Sequence, residues 1–159
     1  MSPTTTSAPP TRGPLPHREI SATDLQSFTN DSIETVAMES IGAGFETGFD
    51  LAAEQIEIQR TGRYLLVGEI VWQGASEGQR ALYLSLNGSA AFVADHTIGP
   101  APAPNPTTHQ VVAVESLAAG DTIELRALQT SGADLSSGLS YGRSASLSVS
   151  WLGPGNPGP

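Results

Sequence analysis

From residue 64 the chain reads Tyr-Leu-Leu-Val-Gly-Glu-Ile-Val-Trp. One parity carries Tyr64, Leu66, Gly68, Ile70 and Trp72; the other carries Leu65, Val67, Glu69 and Val71. Both faces are apolar, which predicts a strand covered on both sides. In a two-sheet sandwich one face meets the core. The other needs a cover from elsewhere, and a neighbouring subunit is the simplest one. Further segments alternate in the manner of half-buried strands: Ile56 and Ile58; Leu82, Leu84 and Leu86; Ile123, Leu125 and Ala127; Leu147, Val149 and Trp151. A short strand is expected over Val111–Val114, with weaker candidates at Ile33–Met38 and Phe45–Leu51.

Turn signals separate these runs: Thr61-Gly62, Gly74 to Gly78, Asn87-Gly88, Gly120-Asp121 and Ser131-Gly132. Asp24–Phe28 is the one stretch that reads as a turn of helix, with Thr23 or Asp24 as its cap. The twelve prolines fall in three clusters, within residues 1–16, 100–106 and 154–159. Proline cannot donate to a ladder, so the proline-free blocks are the folded material. The expected organisation is a Pro/Thr-rich arm over residues 1–29, a β-domain over 30–153 and a Gly/Pro tail over 154–159. About eight strands with no substantial helix imply an all-β, antiparallel sandwich of jelly-roll type. Its expected core includes Leu84, Ile123, Leu125, Val149 and Trp151.

The order of signals resembles the tumour-necrosis-factor and complement globular-head superfamily of jelly rolls. Gly62-Arg63-Tyr64 opens a long apolar strand, Leu84 to Gly88 ends a strand in Asn-Gly, and Val114 to Leu125 reads as strand, Gly-Asp turn and strand. Leu147 to Leu152 sits where the last strand belongs, although alternating serines replace the family's aromatic-x-Gly ending. The resemblance covers roughly residues 33–153 and implies a compact homotrimer. It implies that Tyr64, Leu66, Ile70 and Trp72 fill the sandwich, and that Leu65, Val67 and Val71 meet the threefold axis. Covering such aliphatic side chains contributes roughly 1.5–3 kcal/mol each before association costs.

Charge narrows the function. Sixteen acids against seven bases, all arginine, give a net charge of −9. That excludes wrapping nucleic acid through its phosphates and seeking anionic membrane. No apolar run approaches the roughly 18 residues of a membrane span, and the first 30 residues contain no apolar h-region, so no export signal is expected. There is no cysteine, hence no disulfide, thiolate catalysis or zinc–thiolate site.

Candidate chemistry is sparse. Asp95, His96 and His109 flank the proline-rich loop and are a conceivable metal set, though their spacing matches no known pattern; solvated loop ends are the plainer reading. The sequons at Asn30 and Asn87 read as turns. No nucleophile elbow, phosphate loop or His-Glu-x-x-His occurs, and no cofactor is implied. The expected function is therefore non-enzymatic: a virion structural protein, assembled in the host cytoplasm, that trimerises and decorates a bacteriophage capsid. Its partners would be itself and the major capsid protein or other virion subunits, reached through the terminal arm. The alternative is a receptor-binding or adhesin tip recognising its ligand through Gly74–Gly78 and through the second loop with His96, Pro102, Pro104 and His109. A secreted or surface module like the complement head is a third reading, disfavoured by the missing signal and stalk.

Overall fold

The computed structural model describes residues 17–41, 49–50, 54–100, 105–140 and 142–155. The long strands are β1 (His17–Ala22), β7 (Gly62–Trp72), β8 (Arg80–Leu86), β9 (Phe92–Ile98), β10 (Thr107–Leu117), β11 (Thr122–Gln129) and β13 (Ala145–Gly153). Short ones join them: β2 (Ser27–Phe28), β3 (Glu34–Thr35), β4 (Ser40–Ile41), β5 (Phe49–Asp50), β6 (Gln55–Glu57) and β12 (Leu135–Ser136). Sheet one has the order β10-β7-β13-β1-β4, and sheet two the order β5-β6-β11-β8-β9 with β3 also on β11. A small β12-β2 pair lies beside them. Every named strand pairing is antiparallel.

The inward parity of each long strand fills the space between the sheets. Leu66, Ile70 and Trp72 of β7 are fully buried and face Leu82, Leu84, Ile123 and Leu125 of sheet two. Gly68 sits in the same row. A Cβ there would stand 2.3 Å from Leu125 Cδ1, so the facing leucine occupies the space a side chain would need. Phe28 closes one end of the core edge-to-face on Trp72, at 5.1 Å between ring centroids.

Two turns meet at the other end, the β8–β9 hairpin and the link that carries the chain from β10 in sheet one to β11 in sheet two. Asn87 and Gly88 both have positive φ, 54° and 67°, and Ser89 N–H closes the turn on Leu86 O at 3.0 Å. Asn87 Nδ2 donates to Asp121 Oδ1 at 2.9 Å, and Thr122 N–H returns a bond to Asn87 Oδ1 at 2.8 Å.

Several expectations are corrected. The arm does not reach residue 29: His17–Ala22 is an interior strand of sheet one, and Phe28 is completely buried. Asp24–Phe28 is not helical. The Glu39 carboxylate takes the N–H groups of Thr23 and Asp24 at 3.1 and 2.9 Å, while Ser137 Oγ takes that of Gln26 at 2.9 Å. These tertiary acceptors outcompete a helical turn. Strand β9 is an addition to the strands expected from alternation. The candidate Phe45–Leu51 lies mostly outside the described residues, as do Pro102 and Pro104.

Candidate functional site

The feature that stands out is the outward face of sheet one. Along β7 the outward row is Arg63, Leu65, Val67 and Glu69. Across the ladder Val67 sits opposite Val112 of β10 and Ser148 of β13; Leu65 sits opposite Val114 and Ser150. Leu65 and Val67 are half-buried, whereas Val112 and Val114 are 56% and 46% exposed. Leu152 extends the patch with 47% exposure. Polar groups frame it. Gln110 Nε2 donates to Glu69 at 2.5 Å on one side, and His17, Glu19 and Arg143 lie along β1, where Arg143 pairs with Glu19. The outward face of sheet one thus carries an apolar stripe with a polar rim.

Val71 is not part of that stripe. It is only 2% exposed within its own chain. Its N–H donates to Ser144 O at 2.8 Å and its carbonyl accepts from Gly138 N–H at 2.7 Å, and Gly138 lies against its side chain, since a Cβ there would stand 3.2 Å from Val71 Cγ1. The exposed valines of β10 take its place. The signal for them was present in the sequence: Val111-Val112-Ala113-Val114 is apolar on both parities, as β7 is.

Tyr64, Leu66, Ile70, Trp72, Leu84, Ile123, Leu125 and Val149 are all buried. Trp151 is only half-buried and packs against the core edge, with the Arg60 guanidinium 4.4 Å from its ring centroid.

His109 is no solvated loop end. It is 1% exposed, on the inward row of β10 with Val111. Trp72 Nε1 donates to its Nδ1 at 3.4 Å, which places the imidazole proton on Nε2. Exposed His96 lies edge-on at 5.0 Å and bonds through Nδ1 to the Gln110 carbonyl at 2.9 Å. Burial, reinforced by His96, pushes the His109 pKa down to about 4. Asp95 does not join the two histidines. As a neighbour of His96 on β9 it projects from the opposite face of the strand, opposite Tyr83. The described residues contain no group of three such side chains able to hold a metal. The Gly74–Gly78 segment is tied down from beneath by Arg80, which is 2% exposed and donates from Nη2 to Ala75 O at 3.1 Å.

Solved structures share this architecture. A tumour necrosis factor, Eiger of S. frugiperda, superposes with a TM-score of 0.70 at 13% identity, over 92% of this chain and 99% of that one. The globular domain of zebrafish complement 1qA matches at 0.63 and 13% identity, over 88% and 99%. Murine APRIL matches at 0.63 and 16% identity, over 86% and 98%. No protein-family model and no curated protein matches the sequence. The chain thus has the jelly-roll fold of tumour necrosis factors and complement globular heads.

Proposed function

We propose that the protein is a non-enzymatic structural subunit that trimerises through the outward face of sheet one and decorates a bacteriophage capsid. The observation that carries the trimer is the aliphatic stripe of Leu65, Val67, Val112 and Val114, uncovered in the single chain. The same fold in Eiger and complement 1qA supports assembly around a threefold axis. Burying the stripe between three copies removes apolar surface that a soluble monomer rarely leaves open. The virion role draws on residues 1–16, whose five prolines and scarce apolar side chains suit an arm that lies along other subunits. Three arms on one trimer turn weak individual contacts into tight attachment.

Deletion of residues 2–16, which spares β1, tests the arm. The truncated protein is expected to remain trimeric and to be lost from purified particles. Full occupancy by the truncated protein contradicts the role of the arm, and absence of the intact protein from virions contradicts the assignment.

A receptor-binding tip is the second reading. Stacked Tyr83 and Phe92, 4.2 Å apart on sheet two, favour it as an aromatic platform. It predicts that changing these rings alters host or glycan binding without releasing the protein from particles.

A further inference from the structure

A cleft of about 250 Å³ opens at the end of the sandwich where β1 begins and β13 finishes. It lies between the sheets, away from the outward stripe. Its floor is Ile58 and Val149, each at most 2% exposed, and its walls are the rings of Tyr64 and Trp151. The charged side chains lining it, among the described residues, are two arginines, Arg18 and Arg60. In a chain of net charge −9 this is a local reversal of sign.

The wall is built to a fixed geometry. Gly62 lets Trp151 settle: a Cβ at Gly62 would stand 2.2 Å from the indole Nε1. Arg60 then lies with its guanidinium carbon 4.4 Å from the centroid of that ring. The Tyr64 hydroxyl donates to the Arg60 carbonyl at 2.5 Å, fixing the backbone from which the arginine departs. Arg18, 6% exposed, donates from Nη1 to the Glu57 carbonyl at 2.8 Å and is a fixed charge behind the floor. Arg60 is exposed and makes no ion pair among the described residues.

We propose that this cleft binds an organic carboxylate with a compact apolar or ring-shaped body. The body lies on Ile58 and Val149 between the two aromatic walls. The carboxylate meets the Arg60 guanidinium, whose planar fork is already held over Trp151 and matches two carboxylate oxygens. The small volume and apolar floor suit one charged group with a short tail; a polyanion has no second cluster of donors to meet. Such a group comes from a free acid or from the C-terminus of a peptide.

The test titrates the full chain with benzoate and hexanoate, with benzamide and hexanamide as uncharged counterparts, and with a short apolar peptide carrying either a free or an amidated C-terminus. The indole N–H resonances of Trp151 and Trp72 report position. The acids are expected to shift Trp151 in a saturable manner with dissociation constants on the order of millimolar, leaving buried Trp72 unmoved. The amides are expected to bind roughly tenfold more weakly, and Arg60→Gln to remove that preference while the chain still unfolds in one cooperative transition. A free-terminus peptide stronger than the small acids assigns a protein terminus as ligand; the reverse assigns a small molecule. Equal binding of acid and amide, unchanged preference in Arg60→Gln, a response at Trp72 instead, or no saturable shift overturns the proposal.

Discussion

The side-chain amide of Asn87 and the carboxylate of Asp121, 34 positions apart, are hydrogen-bonded at 2.9 Å. The contact joins two turns at one end of sheet two, and Asp121 Oδ2 also accepts from Ala118 N–H at 2.7 Å. Asn87 further stands at φ 54°, where a side chain other than Asn, Asp or Gly is strained. Asn87→Ala is expected to lose both the bonds and the favourable conformation, about 2 kcal/mol, and Asn87→Gly about half of that. Urea unfolding of the two variants checks the order.

Gly68 carries a packing prediction. Gly68→Ala pushes a methyl group into Leu125 Cδ1, 2.3 Å from its ideal position, and is expected to destabilise by roughly 1–3 kcal/mol. Leu125→Ala opens a cavity of its own and costs roughly 2–5 kcal/mol alone. The double variant is expected to be more stable than the sum of the two losses implies, since each change relieves the other. Strict additivity in denaturant unfolding contradicts the close approach.

His109 makes stability depend on pH. Its folded pKa of about 4 lies below its ordinary 6.5, so the unfolded chain takes up the proton first. The contribution is complete above about pH 6.5 and disappears as pH falls toward 4, amounting to on the order of 3 kcal/mol. The group nearest in charge is His96 on β9, and the acceptor role toward Trp72 on β7 is lost on protonation. His109→Gln keeps an acceptor and does not titrate. The difference in unfolding free energy between the wild type and this variant is expected to shrink or reverse between pH 7 and pH 4.5, while the carboxylates shared by both cancel. A pH-independent difference contradicts a buried neutral imidazole.

Parity made much of this legible. The alternation from Tyr64 to Trp72 separated the inward row from the outward one, because a strand turns successive side chains to opposite faces. Parity does not reveal what lies over a face, which is why Val71, with Gly138 against its side chain, reads in the sequence the same as Val67. Strand β1 was hidden for a different reason. Arg18 sits on its inward row beside Ile20 and Ala22, and a buried guanidinium breaks the apolar pattern that signals a strand. In β9, the run Phe-Val-Ala-Asp-His-Thr-Ile mixes polar and apolar residues on both parities and stays partly exposed at the sheet edge. His109 was readable in principle, since it shares the parity of Val111; its nearness to the prolines suggested a loop instead.

The outward stripe predicts selective loss of assembly. Val67→Asp or Val112→Asp puts a carboxylate into the half-open row, and in an assembly each copy brings its own. Either single change is expected to separate the subunits. The more exposed Val112 is expected to cost the isolated chain under 1 kcal/mol. Circular dichroism at matched concentration checks that the sandwich survives.

Mass in solution tests the central claim most directly. Sedimentation equilibrium of the intact chain at micromolar concentration is expected to give about 49 kDa, three times the 16.4 kDa of one subunit. A single stable species of 16.4 kDa, with the Val112 and Val114 methyl groups open to solvent, contradicts a threefold assembly through sheet one.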